Sequence, residues 1–329
     1  MNKRTLGKTG FQVTEMGLGT WQVGGKWGAG FDDAQADKTL NTAIDEGMNF
    51  IDTADVYEAG MSEKAIGRVV KQRKEDIIVA TKCGRQINPH VSAGYQPDVL
   101  RKFVEDSLKR LQTDTLDLIQ LHCPPTEVYY RPEIFECFDK LKQEGKIRHF
   151  GVSVEKVEEG IKAMQYGNMS SVQMIFNVFR QRPNELFFRE AKDRNVGVIV
   201  RVPLASGLLT GKFTRNTTFE EGDHRNFNRN GEAFDKGETF AGIPYELGLT
   251  AVEELKKLFE GEEAHLPQRA LQWVLMHDAV STVIPGASSF EHVQSNLKTF
   301  DLPPLTLEQK QAMDRIYEKY VKPEVHQRW

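Results

Sequence analysis

Hydrophobic and polar positions alternate along the chain in blocks of two lengths. Short apolar runs rich in Val, Ile and Leu recur at Glu15–Thr20, Asn49–Thr53, Ile77–Lys82, Leu116–His122, His149–Val154, Val172–Asn177, Val196–Leu204 and Ser281–Gly286. Their near-continuous hydrophobic interiors are those of strands covered on both faces. Longer stretches of helical period lie between them. Gln96–Leu111 puts Val99, Leu100, Phe103, Val104, Leu108 and Leu111 on one stripe, with Pro97 in the first turn. Pro132–Gln143 has the same design, and Gly145 follows where glycine ends helices. Further helices are expected at Asp33–Glu46, Glu63–Lys71, Glu155–Gln165, Asn184–Arg194, Pro244–Phe259, Pro267–His277 and Phe290–Lys298. Strands alternating with helices predict a parallel α/β sheet with right-handed crossovers. Eight runs match a closed (β/α)8 TIM barrel. No G-x-G-x-x-G follows the first run, where an open dinucleotide-binding sheet would need it.

The 329 residues exceed the roughly 250 of a plain barrel. Three segments account for the surplus. Lys3–Thr14, turning at Gly7–Gly10, predicts an N-terminal β-hairpin plug for the barrel floor. Ala205–Ile243 is a long polar loop after strand 7, and loops of that length are usually functional. Leu302–Trp329 is a C-terminal arm with one helix, Leu307–Tyr320. No linker or internal repeat divides the chain, so residues 1–329 are expected to form one domain. Charge is balanced, 43 basic against 47 acidic residues, which argues against nucleic acid or an anionic membrane as a partner. No apolar run reaches the length of a membrane span, and the N-terminal stretch lacks a signal-type apolar core. Three cysteines without a C-x-x-C pair predict neither a disulfide framework nor a zinc site, and suit a reducing cytoplasmic compartment.

Barrels of this kind carry their chemistry at the C-terminal ends of the strands. There the chain offers Asp52, then Tyr57 on the following loop, Lys82 and His122, delivered by three successive strands. Desolvation alone would strip Lys82 of its charge, and Asp52 would restore it. A cation beside Tyr57 is expected to lower the phenol pKa, giving a general acid, and His122 would bond a substrate oxygen. Gly207-Leu208-Leu209-Thr210-Gly211-Lys212-Phe213 imitates a phosphate-binding loop, but it is one residue short and lacks the following Ser or Thr.

Several motifs occur in a telling order. They are Gly17-Leu18-Gly19-Thr20-Trp21, Asn49-Phe50-Ile51-Asp52-Thr53-Ala54 with Tyr57, Ala80-Thr81-Lys82, Leu116–His122, Gly151-Val152-Ser153, Pro203-Leu204 with Gly207–Lys212, and Ile284-Pro285-Gly286 with Asn296. In this order the chain resembles the aldo-keto reductases over nearly its whole length, in particular the longer bacterial oxidoreductases and potassium-channel β subunits. The resemblance implies an NAD(P)H-dependent reductase of aldehydes or small ketones, with Tyr57 as proton donor, Lys82 tuning it, Asp52 holding Lys82 and His122 orienting the carbonyl. It implies cofactor contacts from Thr20, Trp21, Ser153, Gln173, Arg201, Pro203, Leu204, Ser206, Gly207, Lys212, Gly286, Ser288, His292 and Asn296. Ser288 stands where a basic residue is usual after the Pro-Gly of strand 8, so Ser288, His292 and Arg225 are expected to read a 2′-phosphate; the resemblance implies NADPH, with NADH as the alternative. Arg201 stands where the family carries an aromatic ring against the nicotinamide, and Val154 where Asn or Arg is usual. Trp21, Trp27, Tyr129 and Tyr130, with Tyr57, are expected to line the substrate mouth. With no arginine cluster evident there, a strongly anionic substrate is not expected. Two alternatives compete: a cofactor-loaded redox-sensing subunit with little turnover, which the family resemblance would pair with Asn at position 122, and a Schiff-base lyase using Lys82. The oligomeric state is not specified.

Overall fold

A computed structural model describes residues 1–25, 30–262 and 265–329. Its strands are β1 (Lys3–Thr5), β2 (Gln12–Thr14), β3 (Leu18–Gly19), β4 (Phe50–Asp52), β5 (Ile78–Cys83), β6 (Leu116–His122), β7 (Ile147–Ser153), β8 (Met169–Ile175), β9 (Gly197–Arg201) and β10 (Val280–Val283). Its helices are α1 (Asp33–Asp45), α2 (Met61–Val70), α3 (Pro97–Leu111), α4 (Pro132–Gln143), α5 (Val157–Ala163), α6 (Phe187–Asp193), α7 (His224–Phe227), α8 (Tyr245–Leu258), α9 (Leu266–Leu275), α10 (Phe290–Leu297), α11 (Leu307–Ile316) and α12 (Lys322–Val325). Strands β3 to β10 pair in sequence order, all parallel. The first edge meets the last through parallel bridges Met16–Val283 and Gly19–Gly286, which close the curled sheet into the expected barrel.

That seam explains two glycines. A Cβ on Gly19 would lie 2.8 Å from the Ile284 carbonyl oxygen, and one on Gly17 would lie 2.6 Å from that of Phe50. Only a bare backbone approaches so closely. The antiparallel pair β1–β2 is the expected hairpin. Its Leu6 and Val13 pack with Phe50, Ile78, Ala80, Leu118, Ile199 and Ile284 in a core cluster of their own, as a floor plug should.

The pattern located every barrel strand and misjudged some bounds. β8 starts at Met169 because Ser170 and Ser171, which read as polar loop, are buried where β7 comes close; a Cβ on Gly151 would lie 2.3 Å from Ser171 Oγ. β9 ends at Arg201, since Val202 takes φ 52° and turns the chain. β3 is two residues long, because Met16 joins only through its bridge. Val99, assigned to the buried stripe of α3, is exposed; Leu100, Val104, Ser107 and Leu111 form the covered face. The C-terminal helix stops at Ile316 and continues as a π-helical turn, Tyr317–Val321, before α12. Ala205–Ile243 contains α7 and several short turns. No helix among the described residues is long and apolar enough to cross a membrane.

Candidate active site

Asp52, Lys82 and His122 from the strands meet Tyr57 from the loop after β4. β4 and β5 pair Asp52 with Ala80, and β5 and β6 pair Lys82 with Gln120, so the parallel stagger lays the Lys82 side chain over Asp52. Lys82 Nζ donates to Asp52 Oδ1 (2.5 Å), to the Thr53 carbonyl (2.9 Å) and to Tyr57 Oη (3.4 Å). An ammonium has three N–H bonds, and each has an acceptor here. Asp52 Oδ2 accepts from Gln173 Nε2 (2.7 Å) and Gln120 Nε2 (3.3 Å). His122 presents its ring edge-on to Tyr57, centroids 5.9 Å apart. Tyr57 is held by a sharp turn in which Glu58 (φ 47°), Ala59 (φ 52°) and Gly60 (φ 87°) are all left-handed before α2 starts. Left-handed non-glycine residues cost on the order of 1 kcal/mol or more each, so the fold over-determines this loop.

Burial works against charge on Lys82, but the Asp52 carboxylate and the Tyr57 oxygen outweigh it, and the ammonium's pKa lies above its ordinary value. The sequence expectation for Tyr57 is corrected. Burial raises its phenol pKa, Lys82 lowers it, and the Asp52 and Glu238 carboxylates raise it again, for a net rise. Lys82 does draw the phenol down, but burial is the larger effect and the two carboxylates add to it. His122 is held well below the usual imidazole range by burial and then by Arg85, Lys82 and Arg201. Its ring is therefore neutral, and its Nδ1 has no hydrogen-bond partner among the described residues.

These groups open onto a cavity of about 330 Å³ that Trp21, Arg85, Arg201, Phe234, Glu238 and Gly286 also line. Small-molecule sites start at roughly this size. Of the residues named from the sequence, Thr20, Trp21, Asp52, Tyr57, His122, Gln173, Arg201 and Gly286 line it. Ser153 is buried beside it, its Oγ accepting from Cys123 Sγ (3.5 Å). Pro203, Leu204, Ser206 and Gly207 follow β9 in a turn where Ser206 (φ 56°) and Gly207 (φ 91°) are left-handed. The Ser206 hydroxyl donates to the Glu238 carbonyl (2.7 Å) and accepts from Phe240 N (3.2 Å), so it fastens the long segment. Ser288 Oγ meets His292 Nδ1 at 3.1 Å, Asn296 is buried on α10, and Lys212 is exposed.

Other expectations fail. Tyr129 is fully buried, its hydroxyl turned to the Ser153 carbonyl (3.5 Å), because Tyr166 and the surrounding core claim its turn. Tyr130 is 66% exposed and absent from the cavity wall, since consecutive positions of that turn face opposite ways. Arg225 is committed to Asp223, with contacts of 2.9 and 2.5 Å, and lies over the Phe219 ring. Trp27 falls outside the described residues.

Sequence reasoning missed Arg85, Glu155, Phe234 and Glu238. Arg201 is bracketed by two carboxylates, Glu155 Oε2 at 3.1 Å and Glu238 Oε2 at 3.0 Å, and it also donates to the Val154 carbonyl (3.2 Å). The Glu155 carboxyl is pushed up to about 7 by burial and then by Glu238, whereas the guanidiniums of Arg201 and Arg85 overcome burial and draw Glu238 down to about 2. Cys123, Glu155 and Glu238 could between them cradle a cation, and the Arg201 guanidinium already fills that role. Arg85, three positions beyond Lys82, could have been found by extending the search from strand ends into the loops. Nothing in the polar segment 205–243 marks Phe234 or Glu238.

Residues 15–318 match the model of the Aldo/keto reductase family. The chain is 30% identical to an uncharacterized oxidoreductase, YqkF, of Bacillus subtilis, over 95% of both chains. It is 29% identical to an NADH-specific methylglyoxal reductase of Escherichia coli, over 92% of this chain and 94% of that one. Among solved structures, the glycerol dehydrogenase of Gluconobacter oxydans superposes with a TM-score of 0.78 at 31% identity, covering 97% of this chain and 96% of that one. The barrel, the rim of strand-end residues and these relatives agree: this chain belongs to the aldo/keto reductase family.

Proposed function

We propose that this protein reduces an aldehyde or small ketone to the alcohol with a nicotinamide cofactor, and that Tyr57 delivers the proton. The observation that carries the reading is the Lys82 ammonium, fixed by Asp52, donating to the Tyr57 oxygen inside the cavity that His122 lines. Because Lys82 donates to that oxygen, the phenol's own hydrogen is left to point away from Lys82. A carbonyl oxygen accepting from it, and from a neutral His122 in the matching tautomer, has its developing charge met by preplaced donors. A bound reduced nicotinamide would supply the hydride to the carbonyl carbon. As charge grows on oxygen, Tyr57 transfers its proton, and Lys82 stabilises the phenolate that results.

The chain's groups suit such a cofactor. The Gly286 position is open, with nothing within 4 Å of the place a Cβ would occupy, which leaves room for a flat ring. Gln173 spends its Nε2 on Asp52, so its Oε1 remains to accept from a carboxamide, and the Ser153 hydroxyl keeps its hydrogen to donate. Arg201 lies at this wall with its charge balanced by two carboxylates, which removes the repulsion a bare cation would exert on an oxidised ring. Lys212, Ser288 and His292 remain for the phosphates once Arg225 is tied to Asp223. NADPH is the proposed cofactor and NADH the alternative. The Escherichia coli relative's name, an NADH-specific methylglyoxal reductase, supports a small carbonyl as substrate and keeps NADH in play. Lys82, protonated and with all three N–H bonds engaged, is unsuited to Schiff-base chemistry.

The test is Tyr57→Phe. Cofactor binding, read by quenching of tryptophan fluorescence with NADPH and NADH, should persist, while aldehyde-dependent cofactor oxidation falls by about 10²–10⁴-fold. Unchanged turnover would remove Tyr57 from the reaction. Tight binding without turnover in the parent protein would favour a sensing subunit instead.

A further inference from the structure

We infer that Arg85 is a docking point for a carboxylate on the substrate, so that the preferred carbonyl compounds are short acids bearing an aldehyde or ketone. This rests on the reading of the cavity as a carbonyl-reducing site.

Two guanidiniums line the cavity, and they are in different states. Arg201 is the more engaged: it donates to Glu155, to Cys123 Sγ and to the Val154 carbonyl, and it pairs with Glu238 at 3.0 Å, although its Nε–H has no partner among the described residues. Arg85 has one polar contact among the described residues, an approach of 3.5 Å to Glu238 Oε1. That is long for a charge-assisted hydrogen bond, which settles near 2.7–2.9 Å. Arg201 holds the other oxygen of Glu238 at the shorter distance of 3.0 Å. A guanidinium offers five N–H donors in a fork matched to a carboxylate, so most of Arg85's capacity is uncommitted. Its plane is steadied over the Phe234 ring, 5.6 Å from the centroid, and its side chain is 24% exposed, on the cavity side.

Its position relative to the reacting groups is the second part of the argument. Arg85 shares one cavity of about 330 Å³ with Tyr57 and His122. A carbonyl held between Tyr57 and His122 therefore has Arg85 within reach of a short substituent. Glu58 and Glu238 also line the cavity and would repel an anion not aimed at Arg85, which makes the contact selective for geometry as well as charge. No pattern in the chain marks this pairing, because Arg85 and Arg201 are far apart in sequence and share a wall only in the barrel.

The experiment has a binding arm and a turnover arm. In the first, succinate is titrated against the protein with NADP⁺ bound, following tryptophan fluorescence, with succinamide as the uncharged control. Succinate should bind and succinamide should not. Arg85→Gln should weaken succinate by about tenfold or more, and Arg85→Lys should recover part of it. In the second, kcat/KM is compared for succinate semialdehyde and its methyl ester. The acid should be preferred by about tenfold in the parent, and the ratio should collapse in Arg85→Gln through a rise in KM for the acid. Equal binding of succinate and succinamide, or an acid-to-ester ratio unmoved by Arg85→Gln, overturns the assignment. If both aldehydes are reduced equally, the docking point falls and the reductase reading stands. If neither is reduced while succinate binds through Arg85, the reductase reading fails and the anion site stands.

Discussion

Two ionic assemblies face the same cavity, and they are built on opposite plans. Asp52 and Lys82 are a pair, one carboxylate and one ammonium on neighbouring strands, each buried to within a few per cent. Arg201, Glu155, Glu238 and Arg85 are a cluster, drawn from β9, the loops after β7 and β5, and the long segment before α8. The pair has no reserve: if one member goes, the other remains a buried charge. The cluster is redundant at Arg201, which keeps Glu155 if Glu238 is lost. The first plan suits the role proposed for Tyr57, because one fixed cation sets one phenol. A wall that joins distant segments is better served by the second.

Breaking the pair should have the largest effect. Lys82→Met should abolish turnover by at least the 10²–10⁴-fold of a lost acid, and should destabilise the fold by about 3–5 kcal/mol because Asp52 is stranded. Combining it with Asp52→Asn should restore much of the melting temperature and none of the activity; a double variant no more stable than the single would refute the account of an isolated pair.

A carboxylate lacking such a partner sharpens the contrast. Asp55, three residues beyond Asp52, is 1% exposed and has no ion pair among the described residues. Burial and then Glu63 push its carboxyl up to about 7, against about 3.9 in an unfolded chain. Between those values the folded state keeps a proton that the unfolded state has released. Its contribution is therefore fully present below about pH 4 and is lost as pH rises through 7, by up to about 4 kcal/mol. Glu155 acts in the same direction. The melting temperature should fall from about pH 5 to about pH 8, and Asp55→Asn should flatten part of that slope; an identical slope in the variant would remove Asp55 as a cause.

Loosening the cluster should matter least. Glu238→Gln removes a charge-assisted contact of Arg201, which keeps Glu155, and the longer contact of Arg85, a loss of about 1.5–3 kcal/mol. Thermal or urea unfolding measures it, and a cost as large as that of Lys82→Met would show that the cluster is not redundant.

The legibility of the site follows the same division. Asp52, Tyr57, Lys82 and His122 were readable because parallel strands of known period must end at one rim, and a polar residue closing an apolar run marks that rim. Tyr129 and Tyr130 were misread because a short turn after β6, which has no period to follow, decides which ring is covered. Arg225 was placed by type alone, and its neighbour Asp223 took it.

Hydrophobic spacing by itself determined the eight strands, the helices that cover them, the hairpin floor and the rim that gathers Asp52, Tyr57, Lys82 and His122, since each depends on residues close in the chain or on a strand order fixed by right-handed crossovers. Only the tertiary structure decided the raised phenol pKa of Tyr57, the neutral His122, the balanced Arg201 and the under-used Arg85. Those outcomes depend on burial and on charges brought together from remote segments, and electrostatic energy is set by distance in space and by the loss of water.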